Sequence, residues 1–367
     1  MTFRAALLER PRSPLVVAEV AIAPLQPDDV LVRVGASGFC HTDLEVIDGA
    51  LVRPMPIVLG HEGAGVVEAV GSAVARVRRG DHVVCSWNPS CGACYYCRRA
   101  MPILCEKVTS LHPRGMLTDG GRRLSLDGAT VHHFSMVSSH AEYCVVPEAG
   151  AIRVPHEIPF DRACLIGCGV MTGYGAATRV APVTAGSDVV VVGCGAVGLN
   201  VVQGAAANRA ATIVGIDSAP ARLDLALRLG ATHAMSGTDA ELVSKVKSLT
   251  AGRGAEFVFE AAGRPDAMRL ALECARPGGH VVLLGKVPVD ETVAFRFGSL
   301  MGEKRITRSS YGGARPETDF PALARAYLEG RLKLDELTGR RVTLDAINES
   351  VDAMRSGQTG RSIVVFD

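Results

Sequence analysis

Residues 188–217, DVVVVGCGAVGLNVVQGAAANRAATIVGID, decide the fold of the domain that contains them. Val189 to Val192 read as a buried strand that runs straight into Gly193-Cys-Gly195-Ala196-Val197-Gly198. Small and apolar residues then continue at helical length, and a second apolar run, Thr212 to Ile216, ends on Asp217. Strand, glycine turn, helix, strand and acid in this order form a dinucleotide-binding arrangement. Gly193 permits the tight turn. Gly195 lets the backbone N–H groups leading into Ala196 and Val197 approach a pyrophosphate, and Gly198 lets the helix close on its strand. The positive end of the helix dipole then faces the phosphates. Asp217 lies nineteen residues beyond Gly198. A carboxylate there accepts both hydroxyls of an adenosine ribose and repels a 2′-phosphate, so the expected cofactor is NAD rather than NADP.

A membrane span is the competing reading, because Val189 to Asn208 carries no charge over twenty residues. Its four glycines, Asn200 and Gln203 argue against that, and the strand–turn–helix reading accounts for each of them. Cys194, inside the turn, reads as a small buried residue.

At 367 residues the chain exceeds one ordinary core, so two domains are expected. An apolar share of 48% with a net charge of +1 describes a globular protein with no basic excess to attract nucleic acid. The first residues, MTFRAALLERP, lack the apolar core of a signal peptide, and a cytoplasmic location is expected. Eleven cysteines are many for disulfides in a reducing compartment, so their spacing points first to metal.

The chain begins with short apolar runs separated by turn residues (Phe3–Leu8, Leu15–Val20, Val30–Val34), which suggests a mainly β domain. Candidate metal ligands follow in Gly38-Phe-Cys40-His41-Thr42-Asp43 and Gly60-His61-Glu62-Gly63. Then the cysteines crowd: Cys91, Cys94, Cys97 and Cys105, in the pattern C-x2-C-x2-C-x7-C. Four thiolates so spaced can wrap one tetrahedral Zn²⁺, and an all-sulfur site has no open position, so this zinc is expected to be structural. Disulfides and an iron–sulfur cluster are the alternatives. Residues 107–140 read as a long surface excursion, and His112, His132, His133 and His140 within it lack ligand spacing. Beyond Asp217, Pro220 opens a helix, and Arg222 on its first turn either covers the adenosine ribose or is solvated. Phe257–Glu260 and Val281–Gly285 read as further strands with a helix, 265–275, between them, which implies a parallel sheet with right-handed crossovers.

Cys40, His61 and Cys168 are too far apart for spacing to group them. The chain resembles the zinc-containing medium-chain alcohol dehydrogenases over essentially its whole length. The resemblance is carried by Cys40-His-Thr42-Asp43, Gly60-His61-Glu62, the four-cysteine lobe, Gly167-Cys168-Gly169 and the glycine turn with Asp217. It implies an α/β protein with a Rossmann, doubly wound parallel-sheet NAD domain (170–310). A mainly β, GroES-like catalytic domain carrying the structural zinc lobe would take residues 1–169 and 311–367. It implies two Zn²⁺ per subunit, the catalytic one on Cys40, His61 and Cys168 with a fourth position open. It implies reversible oxidation of primary alcohols to aldehydes, by hydride transfer from a zinc-bound alkoxide to the nicotinamide. Thr42 matches the hydroxyl that takes the alcohol proton. Asp43 would orient His61, with Glu62 behind the metal; an ordinary buried ion pair is the alternative for these acids. His41 and Arg361 match cationic pyrophosphate contacts, and Thr172 falls beside the nicotinamide.

The departures bear on the substrate. Glu45 stands where many members end the proton relay with a histidine, and is read as a terminal base or a bystander to water-borne transfer. Members that oxidise S-(hydroxymethyl)glutathione use an acid and an arginine that fall here on Leu51 and Thr109. Leu51, Trp87 and Phe134 therefore suggest an apolar pocket for aliphatic medium-chain or benzylic alcohols, with the glutathione adduct as the alternative. Lys286 takes the place of an apolar residue, with no role evident. The segment 107–140 resembles that of dimeric members, so a homodimer is expected before a homotetramer. A non-enzymatic protein of the same fold, a nucleic-acid-binding zinc module, and a polyol or threonine dehydrogenase are the remaining alternatives. The complete ligand set with Thr42 disfavours the first, and the neutral chain disfavours the second.

Overall fold

The computed structural model describes residues 1–357 and 360–366. They form two compact units, one of Met1–Cys168 together with the chain from Arg315 onward, the other Gly169–Ala314.

The first unit opens with strands β1 (Thr2–Leu8), β2 (Val16–Ile22) and β3 (Asp29–Gly38), followed by the short helix α1 (His41–Ile47). Strands β4 (Ile57–Val58), β5 (Glu62–Val70) and β6 (His82–Cys85) come next, then α2 (Glu106–Leu111). β7 (Leu124–Leu126), β8 (Ala129–His133), β9 (Tyr143–Pro147), β10 (Ala151–Arg153) and α3 (Phe160–Leu165) complete this part. β1, β2, β7, β8 and β4 close a small barrel, while β10, β6, β5 and β3 lie side by side in a second sheet, with β9 also paired to β3. Alternate residues of β3 and β5, including Val30, Val32, Val34 and Val67, bury one face as the pleat requires.

Residues 107–140 depart from the expected surface excursion. β7 and β8 close the barrel, and Phe134, Met136, Val137, Ser139 and His140 are buried. The strands are only three and five residues long and β8 ends on two histidines, so neither shows an apolar period. The charged residue that precedes β7 is paired internally. Arg123 donates to Asp29 through Nε (2.5 Å) and Nη2 (3.1 Å) and to Asp119 (2.6 Å), while its backbone N–H donates to His133 Nε2 (3.0 Å).

The second unit holds α4 (Met171–Gly175), β11 (Asp188–Val192), α5 (Ala196–Ala207), β12 (Thr212–Asp217), α6 (Pro220–Arg228) and β13 (His233–Ser236). It continues through α7 (Leu242–Leu249), β14 (Ala255–Glu260), α8 (Pro265–Cys274), β15 (Ala275–Leu283) and β16 (Arg305–Arg308). The sheet runs β13-β12-β11-β14-β15-β16, and every pair is parallel. This is the doubly wound order, with its switch point between β11 and β14, where the glycine turn lies. Val190 and Val192 pack with Val214, Val258, Ala271 and Val281 in one core, and each fully buried valine contributes about 1.5–3 kcal/mol over exposure. β15 begins six residues earlier than the expected Val281, because Pro277-Gly-Gly masks a strand that shifts register against β14 between Ala255 and Phe257.

After Ala314 the chain returns to the first unit. It adds α9 (Pro316–Leu328), β17 (Thr338–Val342), α10 (Ile347–Arg355) and β18 (Arg361–Val365). β18 pairs antiparallel with β3 and parallel with β17. No helix among the described residues is long and apolar enough to cross a membrane.

Candidate active site

Cys40 ends the turn after β3 and caps α1, so its sulfur projects at the start of a helix. Asp43, three residues on, reaches back and accepts the Cys40 N–H through Oδ2 at 2.9 Å, a capping-box contact. Its Oδ1 accepts the N–H of Gly60 at 2.9 Å. Gly60 has φ of +90°, and a Cβ there would meet the His140 nitrogen at 2.5 Å, so this turn takes no side chain. His61 follows, its Nδ1 3.5 Å from Asp43 Oδ2. The buried Asp43 thus ties together the two elements that carry Cys40 and His61, and caps the helix as well. Burial raises its pKa, but the charge and hydrogen bond of His61 outweigh that and hold it below the usual carboxylate range.

Cys168 arrives from Ile166–Val170, a widened π-type helical turn of the kind common at functional sites. The ligand atoms of Cys40, His61, Glu62 and Cys168 all lie within 4.8 Å of one another. The hydrogen bond between the two thiols holds Cys40 well below an ordinary thiol and Cys168 well above one, so one thiolate is favoured before a cation contributes. Burial lowers the His61 pKa, and the charges of Asp43 and Cys40 raise it further than that, to a net rise. Glu62, opposite Gly38 in the β3–β5 register, is fully buried, and burial pushes its pKa up to about 7. Its counter-charge is Arg361 on β18, Nη2 to Oε1 at 3.1 Å. Two sulfurs, an imidazole and a carboxylate in reach of one point make a donor set that suits Zn²⁺.

Of the other residues singled out in this unit, Thr42 lies with Oγ1 4.0 Å from Cys40 Sγ, and His41 is exposed at the first turn of α1. Arg361, expected to face a pyrophosphate, is only 8% exposed; besides Glu62, its Nη1 donates to Phe39 O at 3.2 Å. Glu45 is half-buried on α1. Leu51 packs on the core cluster that includes Phe134, and Trp87 on the one around Val83 and Val137. Phe134 is wholly buried, with its ring edge-on to His61 at 5.5 Å, so it packs against the imidazole rather than forming an open wall. Sequence reasoning missed His140, whose Nδ1 is 2.9 Å from Ser37 Oγ and whose Nε2 is 3.9 Å from Asp43 Oδ1. A histidine without ligand spacing gave no signal for it.

Cys91, Cys94, Cys97 and Cys105 form the second group of converging ligand atoms. Cys105 is fully buried, and its sulfur accepts the Cys91 N–H at 3.3 Å. Backbone N–H groups of Cys97 and Glu106 lower the Cys94 thiol to about 6, while burial and the proton it shares with Cys94 raise Cys97 to about 12. Amides aimed at sulfur stabilise thiolates, the form a metal requires, so these residues fit a closed four-sulfur zinc site.

In the second unit the glycine turn matches its sequence. Gly193 has φ of +93°, and a Cβ on Gly198 would fall 1.8 Å from Gly193 O. A Cβ on Gly195 would meet nothing within 4 Å, so space stands open over the turn. α5 starts at Ala196 with no side-chain cap, leaving the N–H groups of Ala196, Val197 and Gly198 for an anion. Asp217 is buried, and accepts the Cys194 N–H through Oδ2 (2.8 Å) and the Ala219 N–H through Oδ1 (2.9 Å). Two of its roughly four lone-pair directions remain for a ribose. Arg222 Nη1 is 3.8 Å from Asp217 Oδ1. Thr172 is half-buried on α4, which packs against α5.

Residues 26–156 match the model of the alcohol dehydrogenase GroES-like domain, and residues 196–329 that of the zinc-binding dehydrogenase domain. Full-length relatives include the S-(hydroxymethyl)glutathione dehydrogenase of Candida maltosa, 34% identical over 99% of this chain and 97% of its own. The class-3 alcohol dehydrogenase of Drosophila melanogaster is 36% identical over 100% of this chain and 98% of its own. Among solved structures, benzyl alcohol dehydrogenase from Acinetobacter calcoaceticus superposes with a TM-score of 0.95 at 32% identity, with both chains covered completely. The chain therefore belongs to the zinc-containing medium-chain alcohol dehydrogenases. It is an oxidoreductase of that family, acting on small molecules, with a GroES-like domain and a Rossmann domain.

Proposed function

We propose that the chain is a zinc- and NAD-dependent dehydrogenase of primary alcohols, and that its substrate is S-(hydroxymethyl)glutathione, itself a primary alcohol. The convergence of Cys40, His61 and Cys168 beside the buried Glu62 carries the reading. The names of the full-length relatives favour the glutathione adduct over the simple alcohols that the apolar residues first suggest. Cys40, His61 and Cys168 hold the catalytic zinc, and Cys91, Cys94, Cys97 and Cys105 the structural one. Zinc supplies Lewis acidity toward the alcohol oxygen, and NAD accepts the hydride. Asp43 fixes the imidazole of His61 by facing its Nδ1, so that Nε2 is the ligating nitrogen. Arg361 keeps Glu62 compensated in a buried site that otherwise disfavours the charge. Thr42 takes the alcohol proton, and Glu45, on the same helix, passes it toward solvent.

The free amides at the start of α5 bind the pyrophosphate, while Thr172 lies beside the nicotinamide. Asp217 binds the adenosine ribose flanked by Arg222, which favours NAD. A homodimer is the proposed assembly; β16 ends its sheet as an edge strand with Ile306 40% exposed, a surface suited to pairing.

A second reading, oxidation of benzylic or medium-chain alcohols, is favoured by Leu51 and Thr109 at the positions that hold the glutathione peptide in other members, and by the likeness to benzyl alcohol dehydrogenase. The test is turnover of ethanol, hexanol, benzyl alcohol, sorbitol and S-(hydroxymethyl)glutathione with NAD and with NADP. The highest kcat/KM on the glutathione adduct with NAD is expected. A tenfold preference for hexanol or benzyl alcohol selects the second reading, and no turnover on any of them refutes both.

A further inference from the structure

Arg53 lies in the first unit, between α1 and β4, two residues after Leu51. Its Nη1 donates to Val52 O at 2.7 Å, and Nη2 is 3.5 Å from His112 Nδ1, at the limit of a hydrogen bond. Its Nε is buried and meets no acceptor among the described residues. His112 holds Ser135 Oγ at 3.0 Å through Nε2, and its ring lies 6.4 Å from both Trp87 and Phe134. Phe134 in turn meets His61 at 5.5 Å. The guanidinium therefore stands at the far end of a row of rings, His112 then Phe134, that leads to a metal ligand. Burial lowers its pKa, and the opposing charge is that of Glu45 on α1.

A half-buried guanidinium held by one firm hydrogen bond and one at the limit of distance is costly unless another group answers it. The two Nη groups, each with a second N–H beyond the one directed at Val52 O or His112, match a carboxylate in two parallel hydrogen bonds, which a neutral group does not reproduce. We propose that Arg53 binds a carboxylate on the substrate alcohol, remote from the reacting carbon, and so selects anionic primary alcohols. The inference rests on the dehydrogenase reading above. It also supplies an anchor for an anionic substrate in a site where Leu51 and Thr109 provide none. The carboxylate belongs either to the glutathione peptide or to a compact aromatic acid.

The test compares zinc-loaded enzyme, wild type and Arg53→Gln, on S-(hydroxymethyl)glutathione, 4-(hydroxymethyl)benzoate and benzyl alcohol. Wild type is expected to prefer at least one carboxylated alcohol to benzyl alcohol by tenfold or more in kcat/KM. Arg53→Gln lowers that ratio at least tenfold through KM, and Arg53→Lys gives an intermediate value. The alcohol whose preference collapses identifies the source of the carboxylate. An unchanged ratio in Arg53→Gln, or a wild-type preference for benzyl alcohol, overturns the proposal.

A second readout needs no turnover. Trp87 is the sole tryptophan and stands beside His112, so its fluorescence reports binding of 4-methylbenzoate and of S-methylglutathione, one probe for each source of the carboxylate. Binding by wild type that weakens at least tenfold in Arg53→Gln, and with rising salt in wild type, supports the assignment. Absence of binding of both probes, or binding indifferent to salt, overturns it even if Arg53→Gln fails to fold. An enzyme that binds 4-methylbenzoate in this way yet oxidises none of the three alcohols would refute the dehydrogenase reading and leave the Arg53 site standing.

Discussion

Gly195→Ala and Gly198→Ala lie three residues apart in one turn, and they should fail in different ways. A Cβ on Gly198 falls 1.8 Å from Gly193 O, where an ordinary C···O contact is about 3.3 Å. Both groups belong to backbone, so α5 and the turn must separate by about 1.5 Å. Alanine inside a helix gains about 1 kcal/mol over glycine, whereas overpacking costs typically 1–3 kcal/mol and more where backbone must move. The net expectation for Gly198→Ala is a loss of about 1–2 kcal/mol, or roughly 2–8 °C in Tm for a domain of this size. NADH affinity should fall with it, since the amides of α5 shift away from the phosphates. At Gly195 the added methyl meets no protein atom within 4 Å, and φ is −77°. Its stability cost is only the weaker N-cap, about 0.5 kcal/mol. If the open space is where the pyrophosphate lies, Gly195→Ala should lose at least tenfold in NADH affinity while melting within about 2 °C of wild type. Fluorescence titration of NADH beside calorimetry measures both quantities. A Gly195→Ala variant that binds NADH within threefold of wild type would sink the assignment of the turn.

Cys40→Ser should lower bound zinc from two to one per chain by elemental analysis and abolish turnover, while NADH binding, which uses the other unit, stays within threefold; full activity would refute the metal assignment. Asp217→Gly should raise the NADP-to-NAD ratio of kcat/KM at least tenfold, and should also lower Tm, because it removes the acceptor of the Cys194 and Ala219 amides; an unchanged ratio would mean that another group discriminates the cofactors. Burial holds His133 at about 3, below the ordinary 6.5, so between those values the unfolded chain binds a proton that the folded chain refuses. Stability from this group is complete above pH 6.5 and falls by about 1.4 kcal/mol per pH unit as pH drops toward 3. Denaturant titrations should therefore show a shallower loss between pH 6.5 and 4.5 for His133→Phe than for wild type, and parallel curves would remove His133 from the account.

The glycine turn was legible because each of its requirements is local: a left-handed Gly193, a close approach at Gly198 and an acid at the end of the next strand. The four-cysteine lobe was legible for the same reason. Cys40, His61 and Cys168 were not, since β3, β5 and the turn before α4 bring them together only through tertiary pairing, and a family resemblance had to group them. The barrel strands 124–126 and 129–133 escaped notice because they are only three and five residues long, too short to show an apolar period, and the second ends on two histidines. Arg361 carried no sign that its charge would meet Glu62, a contact fixed by the pairing of the last strand with the third. Arg53 was likewise silent, because nothing in its neighbours along the chain indicates a half-buried guanidinium.

That last strand sets an order of events during synthesis. β3 leaves the ribosome early, but its partner β18 follows about 320 residues later, roughly 15–65 s at ordinary elongation rates. From the synthesis of Cys168 onward the nascent chain holds all three of Cys40, His61 and Cys168, while Glu62 awaits its cation and the β18 side of β3 lies open to any strand nearby. The nucleotide-binding unit, continuous from Gly169 to Ala314, can complete itself first. Emergence of β18 then seals the buried carboxylate and the sheet edge together. A ribosome stalled just before Arg361 would therefore display a finished nucleotide unit beside a metal centre still lacking the countercharge of Glu62.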